Sequence, residues 1–239
     1  MFMGMGMPIP DLSNLPGVSR PGRPGDSGVT VDLINNVYSF KFDGAASYFD
    51  AGNPTELQFT GAFSVSFWMK GNLASAGNRA MVSKDSNTSN PRAFSIERTN
   101  AFPGGYFVIY NGTSAYGVYV ASSDANYINI GDNNWHNVIG VYTPSTSVEL
   151  FVDGNFIKSN TTNIPASVNF VNNNLNIGRR SQGVNYFPGN IDEVAVFGRA
   201  LVEEEAKLIY DSTNNNSGKT ADLNTLSTGA PTAWYRMGD

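Results

Sequence analysis

From residue 37 onward, apolar and polar residues alternate one by one in short runs, and each run stops at Asn, Gly, Asp or Pro. A period of two marks strands that bury one face, and the stopping residues are those that supply turns. In SVSFWMK, residues 64–70, Val65, Phe67 and Met69 fall on one face, with Ser64, Ser66, Trp68 and Lys70 on the other. That segment predicts one core face and one polar face. Similar runs cover residues 37–42, 80–84, 93–98, 106–110, 116–121, 135–142, 148–152, 155–158, 175–178, 190–197 and 233–237. Roughly a dozen short antiparallel strands of this kind predict an all-β sandwich. In VELFVDGNFIK, Asp153 and Gly154 join two alternating runs and predict a two-residue type I′ hairpin turn.

The period changes once. From Leu201 to Asp211, Leu201, Glu205, Leu208 and Ile209 lie on one helical stripe, and Glu203 and Lys207 form an i,i+4 pair. One short helix is therefore predicted in the C-terminal half, capping an end of the sandwich. The polar stretch Ser212–Gly229 reads as a loop before a closing strand within residues 232–237.

Composition removes several classes of function. Charged residues make up 15% of the chain and the net charge is −5, so the surface is polar rather than ionic, with 29 asparagines filling that role. No dense Lys/Arg run offers a field for nucleic acid or anionic lipid, and neither is expected as a partner. With no cysteine, disulfides, thiolate metal sites and cysteine nucleophiles are all excluded. No apolar run approaches the roughly 18 residues needed to cross a bilayer as a helix, so no membrane insertion is expected. Met1–Met7 lacks the basic start and continuous apolar core of a secretory signal, which points to synthesis in, and release into, a cytoplasm.

Residues 1–30 differ from the rest, with Met/Gly alternation followed by a Pro/Gly stretch. They read as an extended arm, and residues 31–239 read as one domain. A plain linker is one reading of the arm. The other is that Met1, Phe2, Met3, Met5 and Met7 are adaptable apolar anchors that dock on another subunit.

The segments FDGAASYFDAG, FSVSFWMK, NNWHNVIGVY, VELFVDGNFI, LNIGRR and FPGNIDEVAVFGRALVEEEAKLIYD occur in this order over about residues 38–211. Together they resemble a laminin-G-like domain of the concanavalin A-like lectin/glucanase superfamily. The most specific piece is the Gly-Asn-Ile-Asp-Glu-Val strand followed by an Arg-Ala-Leu turn into a short acidic helix. The resemblance implies a jelly roll of two antiparallel sheets, used for glycan binding, adhesion and virion surfaces. One departure in order stands out: APTAWYRMGD, residues 230–239, is similar to the strand that usually opens such domains. A permuted jelly roll, with this strand beside Asn190–Phe197, accounts for it. WYRMGD also looks like segments of phage-encoded laminin-G-like proteins.

Catalysis finds little support. The hydrolases of this superfamily carry Glu-x-Asp-x-x-Glu on one strand, and no such motif occurs here. Asp192 and Glu193 are adjacent, so a regular strand would send them to opposite faces. His136 is the only histidine and reads as a hydrogen-bonded strand residue. The resemblance implies one structural calcium, with Asp192 at the family's metal-ligating aspartate and Asp43 with the Gly44 carbonyl as a weaker companion. The alternative is that Asp43 serves its turn and Asp192 pairs with Arg179 or Arg180. Tyr106, Tyr116, Tyr127, Tyr186 and Phe187 are the candidate loop aromatics for stacking on sugar rings, against the alternative of sheet packing. Trp68 and Trp135 belong to the segments that carry the resemblance and are assigned to structure.

These readings combine into a non-enzymatic jelly roll presented on a larger assembly, a phage virion, in several copies or as a homo-oligomer. The arm would contact other subunits and the jelly roll would meet surface glycans at the virion surface. The alternative is a free or cell-surface calcium-dependent lectin in an extracellular setting. A glycoside hydrolase comes third.

Overall fold

The computed structural model describes residues 28–73, 77–85, 92–169, 173–180, 183–215 and 217–238. The candidate arm anchors Met1, Phe2, Met3, Met5 and Met7 lie outside the described residues. In chain order the strands are β1 (Asp32–Asn35), β2 (Phe40–Asp43), β3 (Phe49–Asp50), β4 (Phe63–Asn72), β5 (Arg79–Asp85), β6 (Arg92–Arg98), β7 (Tyr106–Asn111) and β8 (Ser114–Tyr119). They continue with β9 (Asp132–Thr143), β10 (Ser147–Val152), β11 (Asn155–Asn160), β12 (Asn176–Ile177) and β13 (Pro188–Phe197). The helix α1 (Glu203–Asn214) follows, then β14 (Lys219–Asp222) and β15 (Ala233–Tyr235).

Alternation decides which residues meet. Val65, Phe67 and Met69 of β4 point inward with Phe63, and every one of them is inaccessible to solvent. Two antiparallel sheets close over this face. One runs β11-β10-β9-β4-β13-β15 with β2 also on β13, and the other runs β3-β12-β5-β6-β7-β8. Aromatic rings fill the space between them: Phe63 lies 5.4 Å from Phe94, 5.5 Å from Tyr142 and 6.1 Å edge-on from Phe107. The chain is thus a jelly roll, all β apart from one α-helix and short 3-10 turns among the described residues. Asp153 (φ 52°) and Gly154 (φ 72°) both adopt left-handed backbone between β10 and β11, as a type I′ turn requires. Gly154 is needed for space too, because a Cβ there would come within 3.0 Å of Lys207 Cα in α1.

The outer face of β4 departs from expectation. Ser64, Ser66 and Trp68 are buried rather than solvated, because α1 and residues 219–226 lie over that side of the sheet. A second core forms there from Ile139, Val141, Phe151, Ala195 and Phe197 beneath Leu201, Ala206, Ile209, Ala221 and Leu223. The helix runs three residues further than predicted, and Glu205 Oε2 accepts from the Val202 N–H at 2.9 Å to cap its start. The segment read as a loop contains β14, which pairs with β1 so that Leu33 faces Ala221. Among the described residues, Val29 and Val31 pack against this second core, and Thr30 and Ser227 exchange two bonds of 2.9 Å.

One sheet edge is assembled from both ends of the chain. β2 pairs with β13 over Pro188–Ile191, while β15 pairs with the same side of β13 over Val194–Val196. Between the two, the ladder to β4 is interrupted between Asp192 and Ala195, and Glu193 takes φ 52°. This bulge positions the site below.

Candidate functional site

Register places the outward residues of three neighbouring strands in rows. Asp192, Trp68 and Asn137 share one row across β13, β4 and β9, and Asn190, Lys70 and Trp135 share the next. Over these rows α1 ends, the chain turns into β14, and the segment joining β1 to β2 crosses. Between them lies a cleft of about 600 Å³ with Tyr38, Trp68, Trp135, Asp192, Asn214 and Lys219 among its walls. Tyr38 is 65% exposed and Trp135 39% exposed, whereas Trp68 is buried and stacks on Tyr210 of α1 at 5.7 Å and 14°. Two rings are therefore available to a ligand and a third is held as floor.

Asp192 is 4% exposed, and its Oδ1 accepts the Glu193 N–H at 2.8 Å. The bulge turns Glu193 to the same outer side, where Trp234 Nε1 donates to its Oε2 at 2.7 Å and Arg236 Nε approaches its Oε1 at 3.5 Å. The expectation that these neighbours face opposite ways fails because the left-handed backbone at Glu193 breaks the alternation. Burial, and then the adjacent Asp192 charge, push the Glu193 carboxyl up to about 8. Arg236 also donates to the Asn35 carbonyl, which ties the closing strand to the segment carrying Asn36 and Tyr38.

Beside the cleft, His136 Nδ1 lies 2.7 Å from Asp153 Oδ2 and Nε2 lies 2.9 Å from Asp132 Oδ1. Burial by itself lowers the imidazole pKa, but the bonds to Asp153 and then Asp132 outweigh it and leave the pKa raised. Asp153 Oδ1 also accepts the Asn137 N–H at 2.9 Å. The whole arrangement fixes the strand bearing Trp135.

The calcium donors are not brought together. Asp43 faces Pro188, and Asp192 lies four residues further along β13, about 13 Å at the rise of a strand. Calcium holds its oxygens at about 2.3–2.6 Å, so the two cannot share an ion. Asp43 Oδ1 already accepts from the backbone of Ala45, Ala46 and Ser47 and from Ser47 Oγ, which hold its carboxyl well below the usual range. Gly44 (φ 75°) serves that turn. Among the described residues no group of three His, Asp or Glu side chains could hold a metal. Asp43 and Gly44 are turn residues, and Asp192 belongs to the cleft.

The loop aromatics are scattered. Phe187 is inaccessible and Tyr106 is 7% exposed, so neither presents a ring face, which corrects their candidacy. Tyr116 packs against the main core and Tyr186 is half-buried. Tyr127 lines a second cleft at the other end of α1. Conversely Trp135, which sequence reasoning assigned to structure, is one of the two exposed rings of the first cleft. Its signal was present: counting by two from the buried Val138 face places Trp135, Asn137, Ile139 and Val141 on the other side.

The opposite sheet carries ionic residues on its own outer face, all engaged with one another. Arg92 grips Asp85 with two bonds of 2.8 and 2.9 Å, while Arg180 reaches Asp85 at 3.3 Å and Glu97 at 2.6 Å. Ser95 Oγ and Asn185 Nδ2 donate to Glu97, and the Arg92 guanidinium lies over the Tyr110 ring at 3.6 Å. The Asp85 and Glu97 side chains are wholly buried, while Arg92 and Arg180 keep 22% and 12% of their side chains exposed, so the acids hold the two guanidiniums in place on this face. Arg179, offered as a partner for Asp192, instead bonds Asn176 Oδ1 and stacks over Tyr48.

A family model described as the concanavalin A-like lectin/glucanases superfamily, of laminin-G type, matches residues 43–207. No curated protein sequence matches the chain. Among solved structures, the binding domain of botulinum neurotoxin serotype G is similar at TM-score 0.56 and 15% identity, over 76% of this chain and 45% of that one. The binding domain of botulinum neurotoxin DC in complex with SialylT gives TM-score 0.56 and 17% identity, over 77% and 45%. The CBM40 of Ruminococcus gnavus IT-sialidase bound to alpha2,3 sialyllactose gives 0.58 and 15%, over 74% and 97%. The chain thus spans less than half the length of the toxin binding domains and nearly all of the CBM40. At these identities the likeness is one of fold.

Proposed function

The chain belongs to the concanavalin A-like lectin/glucanase superfamily, and from that premise we propose that it is a non-enzymatic glycan-binding domain whose site is the outer-face cleft. One observation carries this reading: two exposed rings, Tyr38 and Trp135, flank a cleft whose polar groups include Asp192, Asn214 and Lys219. Rings that lie against apolar sugar faces, with amides and charges set for hydroxyls, are what a saccharide needs. Lys219 is the cation of the lining and suits an acidic sugar, in keeping with the sialylated ligands of two neighbours in fold. A hydrolase is disfavoured because the Glu193 carboxyl is turned to Trp234 and Arg236 and does not line the cleft.

Titration of the full chain with 3′-sialyllactose, followed by tryptophan fluorescence, tests the reading. Saturable binding that weakens roughly tenfold in Trp135→Ala supports it, and binding unchanged in that variant overturns it. The finer reading, a domain carried on a virion through residues 1–30, draws support from the Met/Gly/Pro composition of that segment and the likeness of WYRMGD to phage sequences. Deleting residues 1–27, which spares Val29 and Thr30, should abolish incorporation into particles while leaving glycan affinity intact.

A further inference from the structure

The helix α1 has the first cleft at its C-terminal end, through Thr213 and Asn214, and a second cleft of about 550 Å³ at its N-terminal end, through Glu203. A twelve-residue helix spans about 18 Å, so the two are separate. Asn126, Tyr127, Asn155 and Phe156 are among the other residues of the second lining. Phe156 is 36% exposed and is held edge-on by Phe151 at 5.6 Å and 72°, which fixes the orientation of its ring. The facing loop is fixed as well. Lys158 Nζ bonds Asp124 at 2.8 Å and the Tyr119 carbonyl at 3.0 Å, and Asn126 Nδ2 donates to the Phe156 carbonyl at 3.3 Å. Walls held in this way require little ordering when a ligand enters.

Charge separates the two clefts. Glu205 is consumed in capping the helix and in its pair with Arg199, but Glu203 remains exposed and is the only charged residue of the second lining. Among the described residues that line it there is no lysine or arginine to receive a carboxylate, and Lys158 behind the wall is already paired with Asp124. We infer that this second cleft is a saccharide site selective for neutral sugars, so that one domain holds two ligands of different charge. The inference rests on the reading of the domain as a glycan binder, yet it concerns other residues.

The test is an amide NMR titration of the full chain with glucose, galactose, mannose and N-acetylglucosamine, each alone. At least one sugar should shift amides of residues 125–128 and 155–157. Phe156→Ala should weaken that binding roughly tenfold and Trp135→Ala should leave it unchanged. Glu203→Lys changes an exposed position and should let 3′-sialyllactose shift the same amides. If none of the four sugars moves them, or if Phe156→Ala is without effect, the inference falls. Failure of the first cleft would show elsewhere, as sialyllactose binding indifferent to Trp135.

Discussion

His136 Nδ1 stands 2.7 Å from Asp153 Oδ2 in the β10–β11 turn while its Nε2 stands 2.9 Å from Asp132, so one imidazole bridges the start of β9 to the neighbouring hairpin. Its folded pKa is raised above the ordinary 6.5. The bridge therefore contributes fully below pH 6.5 and is lost as pH climbs through the folded value. His136→Gln should cost about 2 kcal/mol in urea unfolding at pH 6 and less in alkaline buffer. A cost that is the same at both pH values would contradict the charged bridge.

Glu193 acts in an adjacent range. Its carboxyl rises from 4.5 to about 8, so the folded chain retains a proton that the unfolded chain releases above pH 4.5. Stability is then expected to decline between about pH 4.5 and 8. Glu193→Gln should flatten that decline, read from denaturant midpoints across the range; an unchanged slope would assign it elsewhere.

Trp68 and Trp135 face the same side of the sheet but should answer differently to truncation. Trp68→Ala opens a void under Tyr210 and is expected to cost about 3–5 kcal/mol. Trp135→Ala should stay within about 1 kcal/mol, because its ring is already partly solvated. Paired thermal melts and sialyllactose titrations separate the structural ring from the ligand-facing one.

Removing residues 230–239 deletes β15 and strips Glu193 of both Trp234 and Arg236. A buried carboxyl left without partners costs about 1–3 kcal/mol beyond the lost packing. The truncated chain should unfold at markedly lower denaturant or fail to fold, and a midpoint equal to that of the full chain would refute the role given to this strand.

Chelator should leave the melting temperature unchanged, since Asp43 and Asp192 stand too far apart to share an ion. A drop of several degrees in EDTA, restored by calcium, would show a site built from other residues.

What could be read from the sequence was local. Alternation at Val65, Phe67 and Met69 marked the main core, and Asp153-Gly154 marked its hairpin, because both signals lie within a few consecutive residues. The second core was not legible: Ser64 and Ser66 are polar in any window, and only the arrival of α1 from more than a hundred residues away buries them. The β1–β14 pair joins distant ends of the chain through residues such as Asp32, Thr220 and Asp222 that carry no apolar pattern. The cleft was missed for a related reason. Asp192, Trp135 and Tyr38 come from three segments, and it is the bulge at Glu193 and the register of β9 on β4 that gather them.

The edge shared by β2 and β15 also bears on how the chain acquires its structure. β13 can gain its β4 partner early, yet half of its other side stays an open row of N–H and C=O groups until residue 235 has left the ribosome. Completion of the sheet is thus a late, long-range event. In that interval the nascent domain carries an unpaired margin along β13, which Ala233–Tyr235 closes.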